Sequence, residues 1–384
     1  MIRNCWYCVS YSDELEPGVV HARIVTGQPI VLWRSAGGQV SALDARCAHK
    51  QFPLWEGRLL RSGALECAYH GFAYDTDGHC VAVPALAGRS ARIPEGACVR
   101  KFPAVEQDGM VWLWPGEGPG EGPGATGPPR TPEVASPEWE TLHTEAMEVA
   151  ADARLLIENL LDLTHFYPLH AGNIGTYEDA SVPVEIERDR GEGGFMLLST
   201  RTRTGFTFGP TKADWFGIST GDNVASHEMV SPGLFHVVER GAPPGRLGTA
   251  EERSFVLYQT ITPLDEGRLV WRRSVSCRAG SHLASDPSKP LVQAVMSGCS
   301  DVVAEDRWAL EQQQRMMAVP AGRFREVHIR TDAAVVMARR MLDQMERAEQ
   351  DAVAEGQPLS GNGSCGTPTP AASQDVTAAG GQAR

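Results

Sequence analysis

The sequence predicts an α+β chain: a small N-terminal antiparallel β-domain, then a larger unit of antiparallel sheet with helices. Three observations predict it. Short β runs broken by turn dipeptides fill the first 115 residues, strand-like stretches recur between 194 and 277, and long helical patterns over 288–318 and 331–353 close the chain. At 384 residues the chain is too long for one small domain and long enough for two that each bury a core.

In order, residues 29–33 lead through Gly37-Gly38 to 40–43 as a hairpin. Asp77-Gly78 and Asp108-Gly109 mark two further hairpin turns, the second followed by a strand at 110–114. Residues 116–133 are dominated by Gly and Pro, which add unfolded-state freedom and remove donors, so they read as a linker. Beyond them a helix is expected near 150–166, with strands at 194–202, 227–239, 254–262 and 268–277. The tail, 356–384, has no apolar periodicity and reads as disordered. The expected boundaries are therefore 1–115, 116–133, 134–355 and 356–384.

A net charge of −13 argues against general affinity for nucleic-acid phosphates. No run of eighteen apolar residues spans a membrane and the N-terminus does not resemble a signal peptide, so the expected location is the cytoplasm. Nine cysteines, an odd number without disulfide-framework spacing, agree with that compartment. Cys5 and Cys8 form a C-x-x-C outside any βαβ pattern and read as two cysteines of a first strand.

The most informative local pattern is Cys47-Ala48-His49 with Cys67-Ala68-Tyr69-His70, or C-x-H-x17-C-x2-H. Two thiolates and two imidazoles can hold one zinc ion or the two irons of a Rieske [2Fe–2S] centre. Zinc fingers usually place both cysteines in one half and both histidines in the other. Here each half supplies one of each, which suits a cluster with both histidines on one iron and both cysteines on the other. Arg46, Lys50, Arg58 and Arg61 flank the motif, either as a plain solvated rim or as a docking surface for an acidic electron donor.

A second constellation lies at 158–170. On a helix, Asn159, Asp162 and His165 stand at i, i+3 and i+6, and Pro168 interrupts the helix so that His170 can swing back toward His165. Two histidines and a carboxylate from elsewhere make the facial triad of non-haem Fe(II), with coordination positions left open. Asp301, Glu305, Asp306 and Glu311 are the carboxylates offered by the later helical run, and spacing does not choose among them.

Both motifs, in this order, resemble the oxygenase (α) component of the Rieske non-haem iron oxygenases. The likeness is closest to the branch with vanillate O-demethylase and dicamba monooxygenase, and it runs from Trp6 to about Glu346. The phrases 151–165 and Glu305-Asp306-x4-Glu311-x-Gln313 carry it. The resemblance implies a Rieske domain and a helix-grip (START-like) catalytic domain. Cys47 and Cys67 would hold one cluster iron and His49 and His70 the other, while His165, His170 and Asp306 would hold the mononuclear iron. It implies further that Asp162 bridges His70 of a neighbouring subunit to His165 in a head-to-tail homotrimer, with Asn159 tuning the iron.

No G-x-G-x-x-G follows a strand, so NAD(P)H must be oxidised on a separate ferredoxin and/or flavin reductase. The expected activity is hydroxylation or O-demethylation of a small, ring-containing organic substrate with O2. Asn223, His227, Gln259 and Trp271 are the pocket candidates on the strands, with plain sheet surface or core as the other reading of each. The central strands show no clear counterpart of the carboxylate-binding residues of the herbicide-demethylating relatives, so an aromatic acid is not assumed. A Rieske-type electron-transfer protein without oxygenase activity is the alternative. A zinc-bound interaction protein is a third reading, which the absence of iron would reveal.

Overall fold

The computed structural model describes residues 1–35, 37–88, 92–116, 127–189 and 195–354. Most of the expected linker (117–126) and the whole expected tail lie outside the described residues.

The first ten strands are β1 (Tyr7–Tyr11), β2 (Val20–Val25), β3 (Gln28–Arg34), β4 (Val40–Asp44), β5 (Arg58–Leu59), β6 (Leu65–Glu66), β7 (Ala73–Tyr74), β8 (Cys80–Ala82), β9 (Ala104–Gln107) and β10 (Met110–Leu113). They form antiparallel sheets in the orders β1-β10-β9, β2-β3-β4 and β5-β6-β7-β8. Asp77-Gly78 links β7 to β8 and Asp108-Gly109 links β9 to β10. Asp108 and Gly109 have φ of 53° and 77°, the left-handed pair that matches hairpin twist. Trp33, Leu43, Leu54, Leu65 and Tyr74 pack a small core beneath the two Cys–His loops.

The second region carries β11 (Trp139–His143), β12 (Met147–Val149), β13 (Glu185–Arg188), β14 (Leu197–Thr207), β15 (Thr220–Ser231), β16 (Leu234–Ala242), β17 (Arg253–Asp265) and β18 (Arg268–Arg278). They form one antiparallel sheet in the order β11-β18-β17-β16-β15-β14-β13, with β12 also on β18. Its helices are α1 (Pro132–Ala135), α2 (Ala153–Leu161), α3 (Phe166–Leu169), α4 (Pro210–Phe216), α5 (Leu291–Met317) and α6 (Ala333–Ala354).

Alternation along β17 divides the sheet between two covers. Phe255 packs with Trp215, Val292 and Val295 on the helical side, while Val256 and Tyr258 pack with Trp6, Tyr11 and Trp112 of the first region. Tyr11 Oη donates to the Arg273 carbonyl at 2.9 Å, and Thr262 Oγ1 to the Cys8 carbonyl at 2.7 Å. The two regions therefore share a buried boundary. Cys8 lies on β1 and Cys5 just before it, and burial pushes their thiols up to about 11 and about 12, away from redox reactivity.

Three expectations change. The helix near 150–166 is two helices: α2 ends at Leu161, because Asp162 Oδ1 accepts from the Thr164 N–H at 2.8 Å and its hydroxyl at 2.6 Å. That side-chain turn competes with the helical ladder. Asn159, Asp162 and His165 therefore do not share one helix face. The strand at 227–239 is the hairpin β15–β16, turned at Pro232-Gly233 where Pro has no N–H to give. The described end of the linker is tied down: Gln107 Nε2 donates to the carbonyls of Pro128 and Pro129, and Arg130 pairs with Asp108 at 2.8 Å before α1 begins.

Candidate metal centres and the cavity beside them

The two Cys–His loops are copies of one backbone turn. Cys47 N–H bonds the Phe52 carbonyl at 3.0 Å and Gln51 N–H bonds the Cys47 carbonyl at 2.8 Å. Likewise Cys67 N–H bonds the Phe72 carbonyl at 2.8 Å and Gly71 N–H bonds the Cys67 carbonyl at 3.0 Å. Both turns need a left-handed residue at the same place, filled by Gln51 (φ 55°) and Gly71 (φ 74°). At Gly71 a Cβ would also sit 2.5 Å from Pro84 Cγ, so glycine is required there twice over.

These turns bury the two thiols and leave both imidazoles exposed at the tip. His49 Nδ1 and His70 Nδ1 face each other at 3.2 Å. Phe72 stacks on His49 with ring centroids 4.9 Å apart, and Tyr69 tilts against His70 at 3.9 Å. Burial, and then the neighbouring Cys47, raise the Cys67 thiol. Tyr74 Oη accepts from the Ala48 N–H at 3.1 Å, which leaves its own hydrogen for Cys47 Sγ at 3.2 Å.

A single tetrahedral zinc with thiolate and imidazole ligands would bring every ligand atom within about 3.3–3.8 Å of the others. Among the described residues, donor triples whose atoms lie within 4.8 Å of one another are His165/His170/Asp306 and Asp75/Asp77/His79, and no three of the Cys47, His49, Cys67 and His70 donors qualify. A close nitrogen pair set apart from the thiols fits a two-iron cluster and does not fit one ion.

The second centre is assembled from distant pieces. His165 precedes α3 and His170 follows it, while Asp306 projects from α5. Asp306 Oδ1 lies 3.4 Å from His165 Nε2 and 3.2 Å from His170 Nε2. His170 is fully buried and Asp306 nearly so, and His170 Nε2 has no hydrogen-bond partner. An orphaned nitrogen beside a buried carboxylate is what a metal ion would satisfy, so the residues fit the group.

The flanking residues fix these ligands. Glu305 Oε2 meets His170 Nδ1 at 2.6 Å, so Nδ1 carries the proton and Nε2 keeps its lone pair for a metal. Asn159 Nδ2 donates to Asp306 Oδ1 at 2.9 Å. Burial pushes His170 down, but Asp306 and Glu305 outweigh it and the net shift is upward. Burial likewise works against the Asp306 carboxylate, yet the two imidazoles hold it well below the usual carboxylate range. Asp162 makes no bond to His165; its Oδ1 is held by Thr164, and His165 Nδ1 is buried without a partner.

A cavity opens beside this triad. His227, Gln259 and Trp271 line it, whereas Asn223 does not: Asn223 is buried behind it, accepting from Arg203 and donating to Glu239 Oε2 at 3.1 Å. Sequence reasoning missed three charged residues of the lining. Lys212 pairs with Glu239 at 2.8 Å, and burial brings its ammonium down to about 8. Arg273, 9% exposed, donates to the Cys299 carbonyl at 3.3 Å and faces the Trp271 ring at 5.7 Å. Among the described residues no carboxylate pairs with it.

Comparison with known proteins finds two family models. Residues 5–103 match the Rieske [2Fe-2S] domain, and residues 149–348 match the vanillate O-demethylase oxygenase C-terminal domain. The chain is 30% identical to the vanillate O-demethylase oxygenase subunit of Pseudomonas sp. (strain ATCC 19151) over 86% of its own length and 98% of that protein. It is 28% identical to the iron-sulfur subunit of the toluene-4-sulfonate monooxygenase system of Comamonas testosteroni, over 92% and 99%. Among solved structures, dicamba monooxygenase bound to 3,6-dichlorosalicylic acid superposes with a TM-score of 0.80 at 26% identity, covering 91% of this chain and 99% of that one.

Proposed function

From the premise that this chain belongs to the Rieske non-haem iron oxygenases with a vanillate O-demethylase-type C-terminal domain, we propose that it oxidises a small ring-bearing acid held in the cavity beside His165, His170 and Asp306. It is the oxygenase component of a multicomponent system, with a Rieske [2Fe–2S] cluster, a mononuclear non-haem iron, and electrons from a reductase or ferredoxin. The observation that carries the reading is the buried two-histidine, one-carboxylate triad opening on a mostly apolar cavity.

In this reading Cys47 and Cys67 hold one cluster iron, His49 and His70 the other, and His165, His170 and Asp306 the mononuclear iron. When bound, these groups supply single electrons and open coordination positions for O2. The chain's own contribution is positioning. Glu305 sets the His170 tautomer, Asn159 aims Asp306, and the apolar wall of Phe166, Leu257 and Val303 excludes water. Arg273 supports an anionic substituent, because a buried guanidinium without a carboxylate is completed by one from the ligand. An acid, which the sequence alone does not assume, enters the proposal on that residue.

A homotrimer is part of the proposal. Met316, Met317, Val319, Phe324, Val327 and Ile329 form an exposed apolar stretch that a second copy would cover. The unpartnered His165 Nδ1 and the nearby Asp162 support a carboxylate link to His70 of the partner subunit. Among the described residues no helix is long and apolar enough to cross a membrane; the cytoplasm stays part of the proposal.

The test supplies iron-loaded protein with O2, NADH and a surrogate reductase, together with ring acids that carry or lack a methoxy group. Loss of a CH2 unit with formaldehyde makes it an O-demethylase, and gain of one oxygen without formaldehyde makes it a hydroxylase. NADH oxidation with no oxygenated product from any ring acid, in protein with both metals loaded, would contradict the substrate reading.

A further inference from the structure

His227 stands on β15 at the cavity wall and is 6% exposed. Its Nδ1 lies 2.8 Å from the Leu160 carbonyl oxygen. A carbonyl only accepts, so Nδ1 carries the hydrogen, and in a neutral imidazole Nε2 is then a bare acceptor. The ring is neutral: burial, stronger than the attraction of Glu239, brings it down to about 4. Nε2 is buried and has no hydrogen-bond partner.

No neighbouring donor is bonded to it, although Arg201 keeps a buried Nε without a partner of its own. Lys212 is paired with Glu239, and Arg201 donates to the Leu163 carbonyl and pairs with Asp179 at 3.3 Å. Both cations also flank the Phe166 ring, at 5.3 and 4.8 Å, and that ring lies 6.3 Å from His227. An unpartnered buried acceptor in the cavity wall is one that a donor on the bound ligand can satisfy.

We propose that His227 Nε2 accepts a hydrogen bond from a hydroxyl on the substrate ring, so that this enzyme selects hydroxylated rings over their methyl ethers. The inference rests on the cavity being the substrate site. It makes His227 a specificity-determining residue outside the metal ligands, and it assigns the substrate a second polar point besides the acid.

The experiment uses holoenzyme, kept anaerobic and without electrons so that nothing turns over. The probes are 2-, 3- and 4-hydroxybenzoate, each against its methyl ether. Binding is read by calorimetry and by perturbation of the mononuclear iron's magnetic-resonance spectrum. The wild type should bind at least one hydroxybenzoate about tenfold or more tighter than its ether. His227→Phe, which keeps a ring and removes the acceptor, should bring that ratio to about one. His227→Gln, whose amide can donate to Leu160 and still offer an oxygen, should keep most of it and guards against a folding defect in the first variant. Equal affinity for every pair in the wild type, or an unchanged preference in His227→Phe, overturns the role of His227 while leaving the cavity reading intact. If no probe perturbs the iron spectrum, the cavity reading falls and the inference with it.

Discussion

The two regions proposed to bind metal are built on opposite plans. At the tip of the first, two matching turns of six residues, 47–52 and 67–72, hold their own ligands through their own backbone bonds and leave both imidazoles exposed. The second gathers ligands from 165–170 and from α5, buries His170 completely, and depends on residues from several elements to aim them. The difference follows from the work. A relay must present an edge to other proteins, while a site that handles O2 must keep water out. Breaking a ligand should therefore have local consequences at the tip and cooperative ones in the interior.

The largest effect is expected at Asp306. Asp306→Ala should remove the mononuclear iron, leave the cluster's visible absorption intact, and lower turnover more than about 100-fold; iron content and absorbance on one sample check this. Asp162→Asn comes next. Both metals should remain, yet NADH-coupled turnover should fall by about 100-fold, because an amide cannot link two imidazoles as a carboxylate does. Normal turnover in that variant would remove the proposed inter-subunit link.

Glu305→Gln should be milder, weakening iron affinity about 10-fold through the His170 orientation, as read by competitive chelation. At the tip, Tyr74→Phe removes one hydrogen bond to Cys47 Sγ and should lower the cluster potential by about 60 mV, the equivalent of about 1.4 kcal/mol for one electron. Smallest of all, Lys50→Glu with Arg61→Glu should slow reduction by an acidic donor a few-fold at low salt and not at all at high salt. An effect that survives high salt would mean that the rim contributes more than long-range attraction.

The same contrast explains what could be read from the sequence. The Cys–His loops were legible because each is local and its spacing is its geometry. The stop in α2 was hidden in Asp162, whose side chain caps its own turn where a helical pattern appeared to continue. The choice of Asp306 among four carboxylates had a signal that spacing between acids does not reveal. Val292, Val295, Cys299, Val303 and Leu310 form the buried stripe of α5, and Asp306 falls on that stripe while Asp301 is exposed and Glu305 and Glu311 are partly so. A carboxylate at a core position is the one that needs a partner. Arg273 escaped notice because β18 is covered on both faces, so alternation carries no polarity there, and Lys212 because it lies on the short helix α4, outside the strands that offered pocket candidates. Asn223 was a fair reading of a polar strand residue, but it serves the buried ion network behind the cavity.

The central claim is that one chain carries a two-iron cluster at Cys47, His49, Cys67 and His70 and a separate iron at His165, His170 and Asp306. Counting iron and acid-labile sulfide per chain, in the wild type and in Asp306→Ala, tests it most directly. The expected result is three irons and two sulfides, falling to two irons and two sulfides in the variant. Two irons in both proteins would reduce the chain to an electron carrier, and zinc without sulfide would contradict the account at its base.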